Sequence, residues 1–171
     1  ANLSPAEAFL PEGEWVDFFT GLRYGGGEKV NLYRPMDTIP VLVRAGSIIP
    51  MDAADTPKNG DALSEGILLR VFPGADAEAE LVEDNLELVG SAAYRRAVTR
   101  FTLRESEGMT LRIYPAEGEC AVLPEGRVFG WDDTKTFRPH QMLTVHSCTF
   151  RTEVMRKCSQ PLPKHVFYED N

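Results

Sequence analysis

Three pairs of carboxylates lie close together in the sequence, and such pairs are the side chains with the clearest catalytic potential. One carboxyl group can act as an acid while its neighbour acts as a base or a nucleophile. Adjacent residues on a strand face opposite sides, however, and aspartates in turns usually accept hydrogen bonds from backbone N–H groups. We therefore predict no catalytic residue in this chain and interpret the pairs as turn residues: Asp52 with Asp55, Glu83 with Asp84, and Asp132 with Asp133.

Residues that bind metal ions are also present, but their spacing is unfavourable. An acidic turn at 83–85 could offer oxygen atoms to calcium, yet one such turn falls short of the six or so donors that the ion takes. Zinc favours histidine and cysteine, but the sequence has no compact Cys-x2-Cys or His-x3-His pair. We predict no metal and no cofactor from these residues, which are Cys120, His140, His146, Cys148, Cys158 and His165.

Arg44 interrupts the long apolar segment 39–51 and could either contact a substrate or hold the fold together. Its planar cation suits a carboxylate or several carbonyl groups, which favours a structural clamp, either between sheets or onto a further domain. Trp15, Phe18 and Tyr24 are candidates for sugar contact, because aromatic rings can stack on sugars. At strand spacing, aromatic residues more often belong to a core, and this alternative stays open.

Short runs of β-forming residues, bounded by Gly and Pro, must position these side chains. No apolar pattern of helical period extends over three turns, so the sequence predicts an all-β chain of antiparallel β-sandwich units. The clearest hairpin joins 97–103 to 109–114, where apolar and polar residues alternate. The predicted strands are 15–20, 30–33, 40–44, 47–50, 67–72, 78–83, 95–103 and 109–114.

A polar stretch rich in turn formers divides the chain into two predicted β units. The segment 55–61 is the predicted linker between a first unit at 1–54 and a second at 62–128. Residues 129–171 form a tail whose fold the pattern does not define, with one predicted strand at 142–150.

The composition excludes several classes of function. The 171 residues carry a net charge of −8, with 21 acidic and 12 basic side chains in residues 1–128. An acidic surface opposes binding to nucleic acid, and no apolar window is long enough for a membrane span. Three cysteines and no visible export signal predict a cytoplasmic location. The chain is also too short for a catalytic barrel of about 250 residues.

The segment LPEGEWVDFFTGLRYGGG at 10–27 and the segment IPVLVRAGSIIPM at 39–51 carry a family resemblance. Together they resemble the region that follows the catalytic barrel in glycoside hydrolase family 31, the α-glucosidase and α-xylosidase family. The segment LLRVFPGADAEAELVEDN at 68–85 is similar to the start of that family's distal C-terminal β-sandwich. It departs from the family motif Tyr-Glu-Asp-Asp-Gly, because Val82 replaces the aromatic residue and Asn85-Leu86 replaces Asp-Gly.

The resemblance implies that 1–54 is the end of a proximal C-terminal β-sandwich and that 62–128 is a distal one. It implies a parent enzyme that hydrolyses α-linked glucosides or xylosides by a retaining mechanism, with paired aspartates on a (β/α)8 barrel. No position here matches those aspartates, so the chain by itself is expected to be inactive and to support the barrel. The alternatives are a carbohydrate-binding module and a structural or oligomerisation domain, with carbohydrate or a second copy as partner.

Overall fold

The computed structural model describes residues 3–35, 37–54, 56, 62–105, 109–133, 136–144 and 152–156. The described residues contain no α-helix, only a turn of 3-10 helix at Cys120–Val122, and no helix among them could span a membrane. The strands are β1 (Leu3–Leu10), β2 (Glu14–Asp17), β3 (Arg23–Gly25), β4 (Glu28–Pro35), β5 (Leu42–Arg44), β6 (Ser47–Asp52), β7 (Gly66–Phe72), β8 (Ala77–Asp84), β9 (Arg96–Arg104), β10 (Met109–Ile113), β11 (Glu117–Gly118), β12 (Val128–Asp133), β13 (Thr136–Thr144) and β14 (Thr152–Arg156).

The first part of the chain forms a ribbon and a small sheet. Strands β1 and β4 pair antiparallel along their whole length, and β3, β2 and β5 form a sheet in that order. Alternating side chains bury Leu10 and Leu32 on one side of the ribbon. On the same side, Arg34 forms an ion pair with the fully buried Asp17 of β2. This ion pair joins the ribbon to the small sheet.

The next sheet, made by β13, β12, β7 and β6 in that order, lies between two hydrophobic cores. We call β6, β7 and β12 the shared wall. On one face, Ile48 and Leu69 belong to the larger core. On the other face, Phe72 and Ile49 pack with Val16 of the small sheet. Because consecutive residues of a strand face opposite ways, one short hairpin supplies both cores.

The last sheet contains β11, β9, β10 and β14, with β8 on the other side of β9. Phe101, Leu103 and Leu111 point inward and are at most 2% exposed. They pack against the shared wall, where the ring of Phe101 meets the ring of Phe129 edge-on, with 6.0 Å between the ring centroids. Burying each such side chain contributes about 1.5–3 kcal/mol, so this core dominates the stability of the second half.

The predicted all-β fold is confirmed, and each of the eight strands predicted between 15 and 114 overlaps an observed one. Of the strand predicted at 142–150, residues 142–144 lie in β13 and the rest lie outside the described residues. The hairpin of β9 and β10 has Leu103 opposite Leu111 and Phe101 opposite Ile113, as the alternation predicted. Five strands of the described residues were not predicted: β1, β3, β11, β12 and β14. β1 contains Pro, Ala and Glu, which are depleted in strands. Its extended shape therefore comes from pairing with β4 rather than from local preference.

The predicted linker falls between two strands of one sheet. Ser47 of β6 pairs with Phe72 of β7, so the first and second predicted units share a hydrogen-bonded hairpin. Residues 55 and 57–61 lie outside the described residues, and the division of the chain into two units stays a prediction.

The fold continues past the predicted tail boundary at 128. Strand β12 pairs parallel with β7 and places Phe129 and Trp131 in the larger core. This parallel pair departs from the purely antiparallel prediction. A parallel neighbour distant in sequence leaves no turn signal between the two strands, which is why the pattern gave no boundary here.

Two tight turns interlock at the junction of the cores. Gly46 has φ +77° and donates its N–H to the carbonyl of Phe72 at 2.7 Å. A Cβ atom on Gly46 would lie 2.7 Å from the Cβ atom of Ala75, and one on Gly74 would lie 2.7 Å from that of Ala45. The turn that follows Arg44 therefore needs glycine both for its backbone and for its close contact.

Candidate functional site

Trp15, Tyr24 and Arg44 lie side by side on one face of the β3-β2-β5 sheet. Trp15 pairs with Tyr24 on one neighbouring strand and with Arg44 on the other, and directly opposed residues share a face. Trp15 and Tyr24 are half-buried, and Arg44 is exposed. The sheet thus brings together two of the three aromatic candidates and the candidate clamp, which we call the aromatic face.

Backbone geometry fixes two members of the aromatic face. The indole N–H of Trp15 donates to the carbonyl of Pro11 at 2.8 Å. The guanidinium of Arg44 lies over Gly13, where an added Cβ atom would be 3.4 Å from Nε. Among the described residues Arg44 has no hydrogen bond or ion pair. Arg44 is exposed on this face, and its role as a clamp stays a prediction.

Phe18, the third aromatic candidate, faces the opposite side. Its ring packs on Phe72 at 5.9 Å and receives the guanidinium of Arg70 at 4.6 Å from the ring centre. Arg70 in turn approaches Asp132 at 3.5 Å. Phe18 is therefore covered by the shared wall and is separated from Trp15 and Tyr24 by the thickness of the sheet.

Asp17 is a buried carboxylate with a structural role, and the sequence analysis did not predict it. It is 0% exposed, and its Oδ1 atom accepts N–H groups from Phe19 at 3.0 Å and Thr20 at 2.8 Å. Its other oxygen pairs with Arg34. A buried carboxylate is tolerated because it is fully engaged in this way. An aspartate directly before a turn, as in DFFTG, is the local signal that could have indicated it.

The acidic turn at 83–85 is engaged internally. Glu83 is buried and forms an ion pair with Arg127, whose Nη2 also donates to the carbonyl of Ser64 at 2.7 Å. Asp84 accepts the N–H of Leu86 at 2.9 Å, so its oxygen serves the turn. Within the described part of the chain, no three histidine, cysteine, aspartate or glutamate residues are grouped to hold a metal ion.

The remaining carboxylate and metal-ligand candidates are dispersed. Asp52 accepts the N–H of Ala54 at 2.9 Å and the hydroxyl of Ser64 at 2.6 Å, while Asp55 lies outside the described residues. Cys120 contacts the carbonyl of Ala116 at 3.3 Å. His140 lies in β13, and the candidates outside the described residues are His146, Cys148, Cys158 and His165.

The outer face of the last sheet is a network of polar pairs. Arg104 binds Glu78 at 2.5 Å, and this hydrogen bond is the main reason that the pKa of Arg104 is raised. The pKa of the Tyr114 phenol is lowered, first by its hydrogen bond with Thr102 and then by one with Arg112. Exposed pairs of this kind contribute at most about 1 kcal/mol each, and their main effect is a well-solvated surface.

Parts of this chain are similar to known proteins. Residues 3–49 match the model of the glycosyl hydrolase family 31 C-terminal domain. An α-xylosidase from Saccharolobus solfataricus is 36% identical over 80 residues, which are 46% of this chain and 11% of that enzyme. An isomaltosyltransferase from Sporosarcina globispora is 41% identical over 44 residues, which are 26% of this chain and 4% of that protein.

Solved structures share the fold. A family 31 α-xylosidase from Xanthomonas citri superposes with a TM-score of 0.73 over 90% of this chain and 17% of its own, at 21% identity. A family 31 dextranase from Flavobacterium johnsoniae gives a TM-score of 0.59 over 75% of this chain and 16% of its own, at 24% identity.

The layered sheets and these matches show that the chain is similar to the C-terminal β-sandwich region of family 31 glycosidases. Residues 3–49 match the C-terminal domain of glycoside hydrolase family 31, in agreement with the resemblance predicted from 10–27 and 39–51. It spans only 11% of the α-xylosidase and 17% of the Xanthomonas enzyme.

Proposed function

We propose that the chain is the C-terminal accessory region of a retaining α-glycosidase and that it stabilises a catalytic (β/α)8 barrel. The observation that carries this proposal is the family match over residues 3–49, together with an α-xylosidase relative that is 36% identical. Because this relative is named an α-xylosidase, we propose an α-linked xyloside as the substrate of the parent enzyme. An α-linked glucoside is the alternative.

The state of the carboxylates supports an accessory role. A retaining glycosidase needs two carboxyl groups about 5–5.5 Å apart across an open sugar site. The two buried carboxylates described here, Asp17 and Glu83, are each paired with an arginine inside the protein. Asp52 and Asp84 accept hydrogen bonds from their own turns. These four groups are engaged in turns and buried ion pairs, which supports an accessory role.

We also propose that Arg44 fastens this region to the barrel. The cation is exposed, is oriented by Gly13 and lies beside the half-buried Trp15. An exposed arginine next to an aromatic ring has the composition of an interface anchor, because such residues are enriched where proteins meet. In this proposal, Arg44 acts as a clamp between this region and the barrel.

The test compares the complete gene product with the 171-residue chain. Each is incubated with an aryl α-xyloside and an aryl α-glucoside, and release of the aryl group is followed. We expect turnover by the complete product and none above buffer by the chain. Turnover by the chain itself would overturn the accessory assignment, and a complete product inactive on both substrates would overturn the proposed substrate class.

A second candidate function is carbohydrate binding at the aromatic face. The observation that favours it is the direct pairing of Trp15 with Tyr24, two half-exposed rings on one sheet face. Titration with maltooligosaccharides, followed by tryptophan fluorescence, tests it. Trp131 is 9% exposed and reports on the core, so Trp15→Phe isolates the signal of the aromatic face. A sugar-dependent change that disappears in this variant would support the module.

A further inference from the structure

Three large apolar side chains are exposed at one end of the β3-β2-β5 sheet. Phe19 is 52% exposed, Leu22 is 57% exposed and Ile39 is 71% exposed. Phe19 follows β2, Leu22 precedes β3 and Ile39 precedes β5. We call these residues the apolar rim.

Backbone hydrogen bonds bring the members of the rim together. The N–H of Asp17 donates to the carbonyl of Leu22 at 2.7 Å, on one side of β2. The N–H of Phe18 donates to the carbonyl of Val41 at 2.9 Å, on the other side. The sheet pairing therefore continues past the ends of the strands, and the three segments end at the same edge.

The rim is built on a rigid base. Asp17 is completely buried, pairs with Arg34 and accepts the N–H groups of Phe19 and Thr20. The ring of Phe19 also meets the ring of Phe18 edge-on at 5.2 Å. A surface that is already ordered loses little conformational entropy when another surface packs on it.

The chemistry of the rim suits a protein partner. The segments 18–22 and 38–41 contain no charged residue, whereas the outer face of β8 and β9 carries ion pairs such as Glu78 with Arg104. Depletion of charge and enrichment of apolar side chains mark the centre of protein interfaces. Leu22 and Ile39 have no ring to stack on a sugar, which separates the rim from the aromatic face.

We propose that the catalytic domain of the same polypeptide packs on the apolar rim. This inference rests on the proposed function and names the surface through which it acts. The matched α-xylosidase is much longer than its 80-residue match, and the matched model is described as a C-terminal domain, so most of such a protein precedes this region.

The path of the chain supports the same partner. Leu3, at the start of β1, pairs with Pro35. The carbonyl of Pro35 accepts the N–H of Thr38 at 3.1 Å, directly before Ile39. A polypeptide continuing upstream of Leu3 would therefore leave this region beside the rim, where a preceding domain could cover it.

Thiol labelling of the complete gene product tests this inference. Leu22→Cys and Ile39→Cys introduce reporters on the rim, and Leu88→Cys introduces one at a site that is 79% exposed on the β8–β9 loop. Labelling by a maleimide is compared in native buffer and in urea, with the reaction of the natural cysteines subtracted. We expect the rim thiols to react at least about tenfold more slowly in the native protein, because interface centres are packed like interiors.

The control thiol at position 88 should react at similar rates in both conditions. Rim thiols that react as fast as this control would overturn the inference, whatever the glycosidase activity of the same samples. Protection that disappears on dilution would assign the rim to a second copy and would also overturn it. Activity on the aryl α-xyloside and α-glucoside, measured in parallel, tests the proposed function separately.

A charge on the rim gives a second readout. Ile39→Lys should lower the melting temperature of the complete product but leave that of the 171-residue chain nearly unchanged, since Ile39 is exposed in the chain. Equal shifts in the two proteins would contradict the inference.

Discussion

At the scale of single residues, Gly26 occupies a position with no room for a side chain. A Cβ atom there would lie 1.9 Å from the carbonyl oxygen of Pro11 and 2.8 Å from that of Gly13. Gly26→Ala should therefore lower the free energy of unfolding by about 3 kcal/mol or more, because the backbone must move. Urea denaturation measures the change. Gly25→Ala is the matched control, since nothing lies within 4 Å of its added atom; an equal loss in both variants would contradict the steric explanation.

Leu86 holds a backbone conformation that suits glycine. Its φ is +59°, the only positive value for a non-glycine residue in the described part of the chain. It stands where the resembled family motif has glycine. Leu86→Gly should raise the free energy of unfolding by about 0.5–1 kcal/mol, because relief of the left-handed backbone exceeds the entropy cost of glycine.

A thermal melt of Leu86→Gly gives the answer, with Leu88→Gly as control. Leu88 is 79% exposed and has no positive φ, so glycine there should be neutral or destabilising. Stabilisation by both changes, or by neither, would show that the left-handed backbone is not the cause.

The sequence identified candidate site residues, but it did not identify the residues with which buried charges pair. Trp15, Tyr24 and Arg44 come together because strand pairing aligns them, and the alternation of each strand was readable beforehand. The buried ion pairs were not readable, because Glu83 and Arg127 are 44 residues apart. Nothing local marks such a pair, since each residue taken alone is typical of a surface.

At the scale of elements, local patterns predicted the strands and the β9–β10 hairpin but could not predict non-sequential neighbours. The parallel strand β12 is the clearest case, and Phe129 tests its importance. This residue is 5% exposed and contacts Phe101. Phe129→Ala should cost about 3 kcal/mol or more through lost burial and the cavity left behind.

Phe9→Ala is the control for this core substitution, because Phe9 is 64% exposed on the ribbon. Removal of the Phe9 ring should change the midpoint of chemical denaturation of the isolated chain only slightly. Equal losses of stability in the two variants would contradict the importance of burying Phe129 in the larger core.

At the scale of the whole molecule, substitution of Arg44 tests its proposed role as a fastener to a further domain. Arg44→Ala in the 171-residue chain should change the free energy of unfolding by no more than about 0.5 kcal/mol, as for an exposed side chain without an ion pair. In the complete gene product we expect a loss above about 1 kcal/mol, because an interface anchor would be removed. Differential scanning calorimetry of both forms compares the two losses. Loss of sugar binding with unchanged stability in both would contradict the fastener role.

The shared wall has a consequence for how proteins that contain this region can be recombined. One hairpin, β6 and β7, supplies Ile48 to the larger core and Ile49 with Phe72 to the smaller one. A chimera joined inside 55–61 would take the two strands of that hairpin from different parents, so both cores would contain mismatched side chains at once. Crossovers placed before β6 or after β7 keep the hairpin intact. In each such chimera, one face of the hairpin still packs against side chains from the other parent. In evolution as in engineering, the two sandwiches are expected to be inherited together.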